Sequence, residues 1–108
     1  MPRIIAVDFD GTLCDNKWPD IGEANCDLIS ELIFKQQFGD KIILWTCRSG
    51  NELLDAIYWC ADLGLYFDAV NENLPEIIEQ FGKDTRKIYA DVYIDDRAEL
   101  PCVSVKEK

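Results

Sequence analysis

Apolar and polar positions fall in blocks along this chain. Arg3–Phe9 is a short apolar run rich in β-branched residues, the pattern of a strand buried on both faces. Asp10-Gly11-Thr12 closes it with turn chemistry. Residues 13–20 are polar apart from Leu13, Cys14 and Trp18 and predict a loop. From Ile21 to Phe38 apolar residues recur at 21, 24, 28 and 32, and again at 29 and 33, before Gly39. That spacing predicts one helix with a glycine stop. Lys41–Thr46 predicts a second buried strand. Asn51–Leu63 predicts a second helix with Leu53, Leu54, Ile57, Tyr58 and Ala61 to one side and Gly64 as its terminator. Phe67–Val70 reads as a short third strand, and Pro75 opens a helix that runs to Phe81 and closes at Gly82. Ala90–Asp95 is the last clear strand, and Cys102–Val105 adds an edge strand before a charged tail. Buried strands alternating with amphipathic helices predict an α/β fold, a mainly parallel sheet sandwiched between helices. Such sheets bind ligands beyond the carboxyl ends of their strands.

Composition narrows this picture. The 108 residues predict a single domain spanning 1–108, and 48% hydrophobic content is enough for a core. The formal charge of −10 argues against nucleic acid, whose phosphates call for a basic face. Histidine is absent, which removes His-dependent triads, dyads and zinc sites. No stretch approaches the roughly 20 apolar residues of a membrane span, and Met1-Pro2-Arg3 leads straight into a strand-like run. The expectation is a cytoplasmic protein with no membrane association. The five cysteines, at 14, 26, 47, 60 and 102, include no C-x-x-C pair and read as reduced thiols.

Three predicted strands end in polar residues that a core does not explain. These are Asp8-Phe9-Asp10-Gly11-Thr12, Thr46-Cys47-Arg48-Ser49-Gly50 and Asp95-Asp96-Arg97. In a parallel sheet all three gather at one edge. Asp8 and Asp10 are two apart, so on an extended backbone they face the same way. Four carboxylates in one cleft repel, and burying them uncompensated costs several kcal/mol each. Mg²⁺, a hard cation, suits such a donor set; Lys83, Arg86 and Lys87, just ahead of the last strand, are the basic alternative. Taken singly, each piece has a plainer reading as a loop, a helix cap or a solvated surface. Phe9, Trp45 and Tyr93 read as core aromatics. Arg48 either reaches a substrate phosphate or pairs with Glu52 or Asp96.

Asp8-x-Asp10-Gly11-Thr12, Thr46 after an apolar strand, a basic residue and then Asp95-Asp96, in that order, resemble the haloacid dehalogenase (HAD) superfamily. The resemblance covers residues 3 to 97. It implies a three-layer Rossmann-like sandwich and Mg²⁺-dependent hydrolysis of a phosphate monoester through an aspartyl phosphate. On that pattern Asp8 is the nucleophile and Asp10 protonates the leaving oxygen, then helps activate water. Thr46 hydrogen-bonds the phosphoryl group, and Lys87, with Lys83 and Arg86 as alternatives, offsets its charge. Asp95 and Asp96 would ligate Mg²⁺ together with Asp8 and Asp10, whose backbone carbonyl would also face the metal. Backbone N–H groups around Phe9-Asp10 and Cys47-Arg48 would cradle phosphoryl oxygens. A carboxylate nucleophile is anionic at neutral pH and needs no histidine base.

Members that dehalogenate lack an acid two residues after the nucleophile, and ion-pumping members carry Thr there. Asp10 suits a phosphatase or phosphotransferase, because a poor leaving group gains from a general acid. Neither the interval from Asp10 to Thr46 nor that from Thr46 to Asp95 has room for the cap domain of larger members. A capless site is open to a phosphorylated small molecule or a phosphoprotein, with a second copy of the chain as one way to close it. The 13–20 loop with Trp18 is either a local lid or a surface turn. Three other readings stay open: transfer to an acceptor other than water, an inactive HAD-like binding scaffold, and a receiver-like domain, whose motif order is different.

Overall fold

The computed structural model describes residues 3–81 and 90–95. Lys83, Arg86, Lys87, Asp96 and the 102–105 strand expectation lie outside the described residues. The chain runs β1 (Ile4–Val7), β2 (Cys14–Lys17), β3 (Asp20–Ala24), α1 (Cys26–Gln37), β4 (Lys41–Leu44), α2 (Gly50–Asp62), β5 (Ala69–Val70), α3 (Pro75–Phe81) and β6 (Val92–Ile94). Four strands form one sheet in the order β5-β4-β1-β6, with every pair parallel. β2 and β3 form a separate antiparallel hairpin.

The two-residue period of the strands sorts their side chains into two cores. Ile5, Val7, Ile42, Leu44, Val92 and Ile94 point to one face and pack with Ile29 and Leu32 of α1 and Ala56 and Cys60 of α2. Ala6, Ile43 and Ala69 point to the other face and pack with Leu74, Ile77 of α3 and Ala90. The result is the three-layer α/β sandwich with a mainly parallel sheet that the burial pattern predicts. No helix among the described residues is long and apolar enough to cross a membrane.

Carboxylates cap the amino ends of the strands. Asp91 Oδ2 accepts from Ile4 N at 2.8 Å, Asp68 Oδ2 from Ile42 N at 2.8 Å, and Asp40 Oδ1 from Arg3 N at 3.0 Å. Each satisfies a backbone donor at the start of a strand, where the ladder offers no partner. Part of the acidic excess is thus structural, and it lies at the edge opposite the motif carboxylates.

The 13–20 segment corrects the expectation of a simple loop. It forms the first strand and tip of the β2–β3 hairpin, and residues 21–24, expected to be helical, join Asp20 in β3. Ile21 and Ala24 carry helical spacing, but from a strand they pack against the same core. The helix begins at Cys26 because Asn25 caps it: its side-chain oxygen accepts from Leu28 N at 3.3 Å. Asn25 also donates through Nδ2 to the Thr12 carbonyl at 3.1 Å, and its N–H donates to the Leu13 carbonyl. The cap therefore docks α1 onto the turn that follows β1.

The hairpin is irregular between Cys14 and Asn16, and there Gly22 faces Asp15 backbone. A Cβ on Gly22 would press into the Asp15 carbonyl and lie 2.8 Å from Asp15 Cβ. Because backbone has to yield, Gly22→Ala is expected to cost about 1–3 kcal/mol. A denaturant-unfolding midpoint checks this; an unchanged midpoint would contradict the close packing.

Burial pushes the Cys60 thiol from 9.0 up to about 12, with nearby Cys14 adding in the same direction. In the folded chain Cys60 thus holds its proton where the unfolded chain has lost it. The resulting stabilisation is complete below pH 9.0 and is lost as pH rises toward about 12. The measured loss of stability across that window should be shallower in Cys60→Ala; identical slopes would rule this origin out.

Candidate functional site

β1 lies between β4 and β6, and the chain leaves it toward β4 on one side and returns to β6 on the other. This is the switch point at which open α/β sheets form a crevice beyond their carboxyl ends. A cleft of about 230 Å³ occupies the place, lined by Asp8 after β1, Trp45, Thr46 and Cys47 after β4, and Asp95 after β6. The ladder continues past the strands: Asp8 N donates to the Ile94 carbonyl and Trp45 N to the Val7 carbonyl, both at 2.9 Å. Asp8 and Trp45 are therefore fixed by backbone pairing just where their side chains enter the cleft.

Thr46 is held by a residue that the sequence analysis did not single out. Asn71, which follows β5, accepts from Thr46 N at 2.7 Å through its side-chain oxygen, while its own N–H donates to the Leu44 carbonyl at 2.7 Å. Asn71 adopts φ 55°, a left-handed conformation that asparagine tolerates better than most residues. The signal was an asparagine directly after a predicted strand. Thr46 Oγ1 in turn accepts from Arg48 N at 3.1 Å. With that acceptance made, the hydroxyl keeps its own hydrogen to donate.

Arg48 corrects the sequence expectation. Nε donates to Asp10 Oδ2 at 2.9 Å and Nη2 to Asp10 Oδ1 at 2.7 Å, a bidentate ion pair. Nη2 also donates to the Asp20 carbonyl at 2.8 Å, and Nη1 to the carbonyls of Pro19 at 3.2 Å and Glu52 at 3.3 Å. The guanidinium further lies 4.9 Å from the Phe9 ring centroid and 5.0 Å from that of Trp18. A guanidinium has five N–H groups, and all are used within the chain, so in this arrangement none is left for a substrate phosphate. The expected partner Glu52 contributes its backbone carbonyl, not its carboxylate. The hydrogen bonds to Asp10 raise the Arg48 pKa above its usual value, against the opposing effect of burial.

The same pair revises the expectation that Asp8 and Asp10 point the same way. β1 ends at Val7, the chain bends at Phe9, and Asp10 bridges to Cys14. Asp8 enters the cleft while the Asp10 carboxylate turns to Arg48. Asp10 is therefore not placed as a side-chain metal ligand, and its backbone carbonyl is what it has left to offer a metal. Phe9 is fully buried, edge-on to Trp59, and its N–H, expected to face phosphate, donates to Asp8 Oδ1 at 2.7 Å. Of the expected N–H cradle, Arg48 N serves Thr46, while Cys47 lines the cleft. Tyr93 is half-buried against the core, as expected. Trp45 is not a core residue: it is 46% exposed, lines the cleft and meets Tyr93 edge-on at 5.8 Å.

Among the described residues no group of three or more His, Cys, Asp or Glu side chains stands together as a metal cage. Two hard carboxylates, Asp8 and Asp95, nonetheless line one cleft. That donor set fits Mg²⁺, which commonly takes one or two carboxylates and completes its shell with water and substrate phosphate.

No family model matches the chain, and no curated protein matches it. A solved structure that does match is that of a conserved protein coded by a locus of Bacteroides thetaiotaomicron. The two share 42% identity with a TM-score of 0.79, over 92% of this chain and 79% of that one. The chain belongs to the same family. Family membership fixes the α/β sandwich as the common frame, and the chemistry has to be argued from the residues at its strand ends.

Asn71→Ala and Asn71→Gly separate the two things Asn71 does. Both remove the acceptor for Thr46 N–H, but only Ala forces a Cβ into the left-handed region. Both should speed hydrogen exchange at the Thr46 amide, and Ala should cost about 1 kcal/mol more stability than Gly. Protection at Thr46 that survives both changes would show that another group holds that amide.

Proposed function

We propose that the chain is an Mg²⁺-dependent phosphohydrolase of the HAD superfamily, acting on a phosphate monoester through an aspartyl phosphate on Asp8. The observation that carries the reading is the convergence of Asp8, Thr46 and Asp95, from the ends of three neighbouring parallel strands, on one cleft. It is supported by the order in which these residues occur and by a nucleophile that works without histidine.

The Asp8 carboxylate attacks phosphorus and the bond to the leaving oxygen breaks. That oxygen takes its proton from Asp10. Thr46 donates its hydroxyl hydrogen to a phosphoryl oxygen, and Cys47 offers its backbone beside it. Water then attacks the acyl phosphate, losing its proton to Asp10, and releases phosphate and free Asp8. Asp8 and Asp95, with the Asp10 carbonyl, would hold Mg²⁺, which when bound lowers the repulsion between carboxylate and phosphate. Lys87, or Lys83 or Arg86, is assigned the remaining charge compensation, and Asp96 is assigned to the metal on the same pattern. Water as the acceptor, a small phosphorylated molecule or phosphoprotein as substrate, and a cytoplasmic setting complete the proposal.

The test is hydrolysis of a panel of phosphate esters with Mg²⁺ or with EDTA, beside Asp8→Asn. Turnover should require the metal and fall at least about a thousandfold in Asp8→Asn, as for other lost nucleophiles. Turnover undiminished by EDTA or by Asp8→Asn would sink the reading.

A further inference from the structure

Arg48 spends five hydrogen bonds and two ring contacts on groups that come from three separate places in the chain. The ion pair reaches Asp10 in the turn after β1; the carbonyls belong to Pro19 and Asp20 at the hairpin tip and to Glu52 in α2. The rings are Phe9 and Trp18. The Arg48 side chain is only 1% exposed, whereas Asp10 keeps 20% of its side-chain surface open. The guanidinium is thus the fixed partner, and the carboxylate is the one with access to the outside. A plain structural tie needs only that some anion meet the buried cation. Here the anion is the residue to which the phosphohydrolase reading gives proton transfer.

We infer that Arg48 is a positioning residue: it acts on the reaction through Asp10, whose carboxyl it fixes against the hairpin tip and α2, and it does not touch substrate. The inference rests on the phosphohydrolase reading. A general acid has to be held within hydrogen-bond reach of the oxygen it protonates. Each carboxyl oxygen has two lone-pair sites. The fork of Arg48 takes one site on each oxygen, which stops rotation of the group and leaves the others to carry a proton. Lysine cannot reproduce this, because its ammonium has no planar fork and cannot grip both oxygens while reaching three carbonyls. The arrangement also makes the hairpin tip and Asp10 one mechanical unit, since the same guanidinium holds both.

General acid help matters most when the leaving group is a poor one, which supplies a readout that a merely structural role would not move. Arg48→Lys and Arg48→Gln, with wild type, Asp10→Asn and Asp10→Asn/Arg48→Lys, are assayed on p-nitrophenyl phosphate and on a simple alkyl phosphate with Mg²⁺. Both Arg48 variants should lose kcat on the alkyl ester about ten- to a hundredfold more than on the aryl ester, a part of the roughly hundred- to ten-thousandfold that general acids contribute. KM should change little, and Lys should not rescue. Asp10→Asn should show the same preference, and adding Arg48→Lys to it should bring little further loss, because both changes remove one effect. Hydrogen exchange across residues 16–21 should quicken in Arg48→Lys, and this variant carries the test where Arg48→Gln fails to fold. Equal losses on the two esters, a rise in KM alone, or a double variant as impaired as the product of its singles would overturn the inference while wild-type turnover leaves the phosphohydrolase reading intact. A wild-type chain inert on every ester would remove that reading, and the positioning role with it.

Discussion

A parallel sheet brings the carboxyl ends of its strands to one edge, and here that constraint decides where charge can be placed. β1 is paired on both sides, to β4 and to β6, so whatever follows Val7 is flanked by whatever follows Leu44 and Ile94. The chain places carboxylates at both edges of this sheet but treats them differently. At the amino edge Asp40, Asp68 and Asp91 accept backbone N–H bonds and stabilise strand starts. At the carboxyl edge Asp8, whose Oδ1 accepts from the neighbouring Phe9 N, and Asp95 line an open cleft. The same residue type therefore ties strand starts below the sheet and lines a cleft above it, and the −10 formal charge says nothing about which is which.

The Arg48–Asp10 pair joins the parts of the molecule that the sheet does not. The hairpin lies outside the sheet hydrogen bonding and is joined to the body through apolar contacts of Cys14, Ile21 and Ala24, through Asn25 at its exit, and through Arg48 at its tip. A buried pair gains less from Coulomb attraction than its geometry suggests, because both ions are taken from water, and it is most costly when one partner is removed and the other is left buried. That asymmetry suits a device that specifies arrangement: with Asp10 in place the guanidinium has one well-satisfied position, and the hairpin tip and the first turn of α2 are brought to it.

The strands of the sandwich were legible because their side chains obey a two-residue period, whereas α2 buries Ala56 and Cys60 and leaves Leu54 and Tyr58, grouped on its apolar side from the sequence, exposed. Ile5 and Val7 against Ala6, and Ile42 and Leu44 against Ile43, divide cleanly between the two cores. The hairpin was not legible, because Ile21 and Ala24 fit the helical spacing of Leu28 and Leu32 and reach the same core from a strand. Asn25, read as a cap, would have ended the ambiguity. At the site, the gathering of Asp8, Thr46, Cys47 and Asp95 followed from strand order alone. The direction of Asp10 did not, since the extended-backbone rule holds only to Val7. Nor did Trp45, whose apolar character said core while its place one residue past β4 put it at the cleft.

Because Arg48 is committed to Asp10, it cannot also neutralise an incoming phosphate. Among the described residues that line the cleft there are two carboxylates and no cationic side chain. On the proposed reading, a phosphate dianion approaching Asp8 would therefore depend on charge supplied from elsewhere. The chain has the basic residues 83, 86 and 87 just ahead of the last strand, and a divalent cation held by Asp8 and Asp95 would supply the rest. Moving Arg48 onto the substrate would not serve instead, since it would leave Asp10, the hairpin tip and a carbonyl of α2 without their shared donor. On the proposed reading the division of labour follows from this: Arg48, the one buried cation among the described residues, keeps the acid in place, and charge for the phosphate would come from other groups.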